Sequence, residues 1–161
     1  MAAKDRDLGA HRAWSSSALL WAHEARRLLT PRPDGAEWTE ILLGFVAVHL
    51  AVRSAKLLRN GRQPFRPEPG AAAECPLSGA DLEAVDRLYA DVRDAILHHA
   101  ERTTETGGGY GVDLSPTVRV RVYRGAGATG GNRSATAASA LRTLDDLEPW
   151  LRRVWERVTL S

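Results

Sequence analysis

A short run in the middle of the chain carries the side chains best suited to chemistry. It spans residues 93–99, and its polar members are Arg93, Asp94, His98 and His99. A guanidinium has a fixed charge that can neutralise a phosphate, and an imidazole changes protonation near neutral pH and can therefore transfer protons. An arginine and a histidine that act together can cleave RNA without a metal ion.

The spacing within this run decides which of its groups can act together. Asp94 and His98 are four residues apart, so on a regular helix the carboxylate lies beneath the imidazole and could orient it. Arg93 and His98 are separated by about 140° around a regular helix, so they share a face only where the last turn loosens. Arg93, Asp94 and His98 are the candidate catalytic residues. In the alternative interpretation, Arg93 is a solvated arginine and the other two form an exposed helical pair.

Two further histidines are supporting candidates. His99 falls on the apolar stripe of its segment and His49 lies among apolar neighbours, so packing in the core is the favoured interpretation of both. His98 and His99 point about 100° apart on a helix and would not bind one ion together. The sequence contains no P-loop and no histidine pair at metal-binding spacing. We therefore expect no metal ion and no cofactor.

The sequence predicts four amphipathic helices that position these residues. The first covers about residues 10–30 and is stopped by the prolines that follow it. The second begins after Asp34 as N-cap and ends at Asn60-Gly61, and we expect these two helices to form an antiparallel hairpin. Residues 62–77 hold four prolines, which predict an exposed, irregular connection that joins the helices rather than packing on them.

The third helix carries the catalytic candidates and has the clearest apolar stripe in the chain. Ser78 is its predicted N-cap. The stripe consists of Leu82, Val85, Leu88, Tyr89, Val92, Ile96 and His99.

A glycine-rich loop or hairpin is predicted at residues 103–142, before the last helix. Residues 118–123 alternate valine with arginine or tyrosine, which is typical of a half-buried strand. Its partner is expected within residues 134–142, although an alanine-rich helix is nearly as compatible with that stretch. Thr143 and Asp146 resemble a capping box, which predicts that the fourth helix begins there.

The insertion also contains a literal G-x-G-x-x-G pattern at residues 125–130, with Asp145 about twenty residues further on. This spacing is that of a dinucleotide-binding loop. Only one convincing strand precedes the loop, however, and the remaining chain is too short for a doubly wound sheet. A flexible hairpin loop explains the glycines better.

Composition places the chain among soluble proteins. It has 161 residues, 26% of them charged, and a formal net charge of +2, which together predict one folded domain over residues 1–161. The lone Cys75 and the absence of an apolar signal region favour a reducing cytoplasm, and the longest apolar stretch, residues 41–52, is too short to span a bilayer. We expect no membrane partner.

The expected fold is mainly α, a four-helix up-and-down bundle with a small β-hairpin or strand excursion before the last helix. On this fold, three arginines on and beside the predicted strand could contact phosphates weakly. They are Arg119, Arg121 and Arg124.

The helices and the run Arg93-Asp94-Ala95-Ile96-Leu97-His98 resemble the HEPN superfamily, the helical prokaryotic toxins and defence ribonucleases. The family motif is an arginine, a polar residue, a few variable residues and a histidine. The resemblance covers the three N-terminal helices and less clearly the fourth. It implies a homodimer in which motifs of two protomers line one RNA-cleaving cleft.

The resemblance also implies roles for the residues and partners for the protein. His98 would transfer protons to and from the ribose 2′-oxygen and the leaving group, Arg93 would neutralise the phosphate, and Asp94 would orient the histidine. The product would be a 2′,3′-cyclic phosphate. The partners would be RNA and a nucleotidyltransferase-type antitoxin.

Two other functions stay open at this point. One is a noncatalytic helical binding or accessory module of the same fold. The other is an interaction surface on the last helix, although spacing favours core packing for its two tryptophans. The residues of that surface are Trp150, Arg152, Arg153, Trp155 and Arg157.

Overall fold

The structure is a computed structural model that describes residues 2–31, 38–97, 109–113, 119–123 and 133–161. Within these ranges it has four long helices, one short helix and a small sheet. The helices are α1 (Ala3–Leu29), α2 (Trp38–Asn60), α3 (Ala71–Glu74), α4 (Gly79–Leu97) and α5 (Ala137–Leu160). The strands are β1 (Gly109–Asp113), β2 (Arg119–Tyr123) and β3 (Arg133–Thr136).

Helices α1 and α2 pack against each other along their length as an antiparallel hairpin, as predicted. Near the middle of α1, the Ser54 hydroxyl donates to the Ser17 hydroxyl at 3.1 Å. Near the turn, Gly44 lies so close to α1 that a Cβ there would be 2.7 Å from Leu29 Cδ2. Helix α1 begins at Ala3, about two turns before the predicted start, because its first residues are mostly polar and show no apolar periodicity. The predicted cap Asp34 lies outside the described residues.

The remaining long helices complete an up-and-down bundle. Helix α4 runs antiparallel to α2, since Arg59 Nε donates to the Leu77 carbonyl at 3.1 Å and Arg53 reaches Asp86. Helix α5 runs antiparallel to α1, because Arg12 near the start of α1 donates to the Val158 carbonyl near the end of α5. The mainly α fold is confirmed. The apolar faces of the four long helices fill one core. Its largest fully buried side chains include Trp150, Tyr89, Phe45, Leu58, Leu82 and Leu144.

The N-terminal boundary of α4 agrees with the sequence prediction. Ser78 Oγ accepts a hydrogen bond from the Asp81 backbone N–H at 3.1 Å, as an N-cap serine does. At the end of α2, Gly61 has a φ of 73°, a left-handed conformation that glycine adopts without strain.

The prediction that residues 62–77 join without packing is wrong. Ala71 is fully buried, and its carbonyl accepts a hydrogen bond from Trp150 Nε1 at 3.0 Å. The Arg66 carbonyl accepts from His11 Nε2 at 2.7 Å, and Glu68 is buried beside Arg157. The prolines do prevent a long helix, but side chains of α1 and α5 bond to two carbonyls of this segment, those of Arg66 and Ala71, and hold it against the bundle.

The β excursion is larger than the predicted hairpin. Strands β2 and β3 pair antiparallel, as expected, and β1 pairs with the other edge of β2 to give the order β1-β2-β3. Strand β1 was not predicted because its glycines break the alternating pattern. The ambiguous stretch 134–142 contains both structures, since β3 passes directly into α5 at Ala137.

The predicted capping box at Thr143 and Asp146 is therefore wrong. Helix α5 is capped two turns earlier, where the Thr136 side chain accepts from the Ser139 N–H at 3.1 Å. Ser139 Oγ in turn accepts from the Thr136 N–H at 3.0 Å. A serine replaces the glutamate or glutamine usual at this position, and the alanines that follow the cap favour helix. These two features move the start of the helix to Ala137.

Among the residues that the structure describes, one helix is long and apolar enough, by length and composition alone, to cross a membrane. It covers Thr39–Asn60 and is therefore longer than the apolar stretch 41–52, which His49 interrupts. Of its apolar window of 18 residues, 61% is buried inside the bundle. A mostly buried apolar helix is what the core of a soluble protein requires.

Candidate functional site

Arg93 lies near the end of α4, and two side chains determine its orientation. Asp94 Oδ1 accepts hydrogen bonds from Arg93 Nε at 2.9 Å and from Nη2 at 2.6 Å. The third nitrogen, Nη1, lies 3.5 Å from Nδ1 of His49 on α2, at the long limit of a hydrogen bond. The Arg93 side chain is 32% exposed, so its guanidinium is fixed by neighbours yet remains accessible to solvent.

His49 is the most deeply buried part of this site. His49 is 1% exposed and lies on α2 between Val48 and Val52, which are also buried. Its Nε2 has no hydrogen-bond partner among the described residues, and the Asp86 Oδ1 atom is 3.7 Å away. The interpretation of His49 as a core histidine is correct about its burial, but one of its ring nitrogens is unsatisfied.

Asp86 lies below His49 on α4 and is 1% exposed. Its Oδ1 accepts from Arg53 Nε at 2.8 Å and its Oδ2 accepts from Lys56 Nζ at 3.1 Å. Lys56 also donates to Glu83 Oε1 at 3.1 Å. Buried carboxylates are paired in this way because an unpaired one would be costly to desolvate.

We call this group the α2–α4 cluster. It consists of His49, Arg53, Lys56, Glu83, Asp86, Arg93 and Asp94. Its three cations balance its three carboxylates, so a neutral imidazole leaves the cluster without net charge.

Sequence reasoning missed the cluster members below the motif. Asp86 lies four residues after Leu82 and three before Tyr89, both of which are buried. A carboxylate at helical spacing on an apolar stripe is unusual, since acidic residues are almost never fully buried unless paired. That position was the signal that the α2–α4 interface contains a polar group.

The imidazole of His49 is neutral at pH 7. Burial lowers the pKa of His49 to about 4, with a further lowering by the charge of Arg93, against the opposing effect of Asp86. Because Arg93 Nη1 can only donate, His49 Nδ1 is the acceptor, which puts the ring proton on Nε2, facing Asp86. The site can therefore present a fixed guanidinium beside a neutral imidazole.

The structure brings some predicted site residues together and says nothing of others. Arg93, Asp94 and His49 meet at the α2–α4 interface. His98, His99 and Arg124 lie outside the described residues, as does the glycine pattern at 125–130. For the weak RNA-binding candidates on β2 the backbone is described: Arg119 pairs with Asp113 and Thr136, and Arg121 pairs with Gly111 and Ser134.

The interaction surface proposed for the last helix is only partly accessible. Trp150 is fully buried, as its spacing predicted, but the same prediction is wrong for Trp155, which is 40% exposed. Arg157 binds Glu68 and Glu74 within the chain. Arg157 and Trp150 of that surface thus have structural roles.

Metal-binding clusters and a reactive thiol are the other chemical possibilities in this fold. Among the residues that the structure describes, no group of three or more histidine, cysteine or acidic residues could hold a metal ion. Cys75 is half-buried, and burial raises the pKa of its thiol, so little thiolate is present at neutral pH.

Comparisons with known proteins add nothing to the interpretation of this site. No protein-family model, no curated protein and no solved structure matches it.

Proposed function

We propose that this protein is a metal-independent endoribonuclease of the HEPN type. It would act in the cytoplasm as a homodimer and serve as a toxin or antiphage effector. The observation that supports this proposal is the double fixation of Arg93 by Asp94 and His49, five residues before His98 in the sequence. An arginine that is held in place and partly desolvated stabilises a phosphate better than a freely rotating one.

The proposed reaction is a transesterification within RNA. The ribose 2′-oxygen attacks the adjacent phosphorus, the new 2′-O–P bond forms and the P–O5′ bond breaks. His98 of one protomer accepts the 2′-hydroxyl proton, and the protonated His98 of the second protomer gives a proton to the leaving 5′-oxygen. Arg93 neutralises the charge on the pentacoordinate phosphate. The products are a 2′,3′-cyclic phosphate and a 5′-hydroxyl.

The second candidate function is a noncatalytic helical binding module. It is favoured by the internal charge balance of the α2–α4 cluster, in which Arg93 already bonds to Asp94 at 2.6 Å. In that case Arg93 stabilises the end of α4, and binding to RNA or to another protein occurs without cleavage.

RNA cleavage in excess chelator separates the two functions. The wild-type protein is compared with Arg93→Ala and His98→Ala on several RNAs, and the products are analysed by mass spectrometry for a cyclic phosphate end. We expect each variant to lose roughly 10²-fold or more of the activity. The matched control is Arg87→Ala, which removes an exposed arginine from the same helix.

Equal cleavage by all variants would assign the activity to a contaminant. No cleavage by a folded wild-type dimer would favour the noncatalytic module. Copurification of a nucleotidyltransferase-type protein with the wild-type chain would support the proposed role as a toxin.

A further inference from the structure

Three side chains from two helices form a path of polar atoms beneath the surface, in which only the step from His49 to Arg93 lies within hydrogen-bond distance. Asp86 Oδ1 lies 3.7 Å from His49 Nε2, and His49 Nδ1 lies 3.5 Å from Arg93 Nη1. Asp86 and His49 are buried, and Arg93 reaches solvent. The path therefore runs from the α2–α4 interface to the guanidinium at the surface.

We propose that His49 is a positioning residue: its imidazole accepts a hydrogen bond from Arg93 and fixes the plane in which the guanidinium meets a phosphate of RNA. This inference rests on the proposed ribonuclease function, to which it adds a residue that no motif contains. Asp94 holds the Nε–Nη2 edge of Arg93 and His49 holds Nη1. With both ends held, rotation about the terminal bonds of the arginine is restricted.

A neutral imidazole suits this role because it can accept a hydrogen bond from a cation. The charged groups that face His49 are Asp86, Arg93 and Asp94 from α4 and Arg53 from its own helix. Burial and the two arginines keep the ring uncharged, whereas the two carboxylates alone would favour its protonation. A protonated His49 would have no acceptor for Arg93 and would repel it.

The two nitrogens of the ring can be tested separately by substitution. In His49→Asn, the side-chain oxygen replaces Nδ1 and can accept from Arg93. In His49→Gln, the amide takes the place of Nε2 beside Asp86, and His49→Leu removes both contacts. The control is His23→Asn at an exposed position of α1. Thermal unfolding of each variant shows that the fold is kept.

Cleavage kinetics of the full chain give the first result. We expect His49→Asn to keep most of the activity, whereas His49→Gln and His49→Leu lose up to roughly 10²-fold in kcat with little change in KM. Full activity of folded His49→Leu would overturn the inference and leave the ribonuclease proposal intact. A wild-type protein that cleaves no RNA would overturn both.

Nuclear magnetic resonance of the protein labelled with ¹⁵N-histidine tests the geometry without any RNA. At pH 7 we expect His49 to be neutral, with the proton on Nε2 and none on Nδ1. Arg93→Gln should raise the pKa of His49, because it removes a repelling charge. A proton on Nδ1, or a doubly protonated ring at pH 7, would overturn the positioning role whatever the activity of the enzyme.

Discussion

A second polar cluster, formed by Glu68, Glu74 and Arg157, resembles the α2–α4 cluster in one respect: each contains one buried carboxylate, Glu68 or Asp86, that accepts hydrogen bonds from a partly exposed arginine. We call this group the connection cluster, because Glu68 and Glu74 lie in the connection formed by residues 62–77. Arg157 Nε and Nη2 each donate to one oxygen of Glu68 at 2.8 Å. The Gly70 N–H donates to Glu68 as well, at 3.1 Å, and Glu74 takes a third bond from Arg157. In the α2–α4 cluster, by contrast, His49 Nε2 has no partner among the described residues.

The difference shows in the pKa values. Burial alone would raise the pKa of Glu68, but the hydrogen bonds and charge of Arg157 outweigh burial and lower it. Burial and Arg93 act in the same direction on His49 and lower its pKa to about 4. The fully bonded pair of Glu68 and Arg157 stabilises the packing of residues 62–77 on α5, whereas the unsatisfied Nε2 of His49 lowers the stability of the fold. Such a cost is common where a residue serves function as well as packing.

The largest expected effect that tests this comparison is on the pH dependence of stability. The pKa of His49 is about 4 in the folded protein and 6.5 in the unfolded chain, so the unfolded chain binds the proton first as the pH falls. The free energy of unfolding should therefore decrease from pH 6.5 to about pH 4, by on the order of 3 kcal/mol. Urea unfolding at several pH values measures it, and His49→Leu should remove this slope while His23→Asn keeps it.

The pH range in which Glu68 affects stability lies below that of His49. Because the folded-state pKa of Glu68 is lowered, its stabilisation is present above the unfolded pKa of 4.5 and is lost as the pH falls through the folded value. If the free energy of unfolding of His49→Leu falls between pH 6.5 and 4 as it does in the wild type, another group titrates in that range. The titration of His49 would then not distinguish the two clusters.

The next effect is on the connection cluster. Glu68→Gln should lower the free energy of unfolding by about 2 kcal/mol, less than the loss for a fully buried pair, because Arg157 reaches solvent and keeps Glu74. Urea unfolding at pH 7 measures the change. Glu156→Gln on the exposed face of α5 is the matched control. A loss no larger than that of the control would mean that this fully bonded pair does not stabilise the connection.

The smallest effect is a stability change of the opposite sign. Replacing His49 by leucine removes an unsatisfied buried nitrogen and fills the site with an apolar side chain, so stability at pH 7 should be unchanged or raised by about 1 kcal/mol. The same variant is expected to lose activity. A loss of several kcal/mol on unfolding would indicate that His49 stabilises the bundle and would remove the contrast with Glu68.

The sequence predicts what depends on local pattern. The apolar stripe of α4, its cap at Ser78 and the end of α2 at Gly61 are all encoded within a few residues, and all three agree with the structure. The start of α5 was misplaced because an unusual box with serine at its third position caps the helix.

Contacts between distant residues could not be predicted in this way. His49 and Arg93 are 44 residues apart, and Trp150 and Ala71 are 79 apart. Nothing in the periodicity of either segment specifies its partner, so the packing of residues 62–77 and the polar path beneath Arg93 required the fold. The arginine and its aspartate were found because they are adjacent in sequence.

The bond from Trp150 to Ala71 gives the molecule a built-in reporter. Its indole N–H is buried and donates to the connection rather than to its own helix. Its exchange with deuterium therefore requires the connection to detach from α5 or the whole bundle to open. The Trp150 indole signal should consequently be among the last to disappear in deuterated solvent. Faster exchange in Glu68→Gln would measure how often residues 62–77 detach from α5.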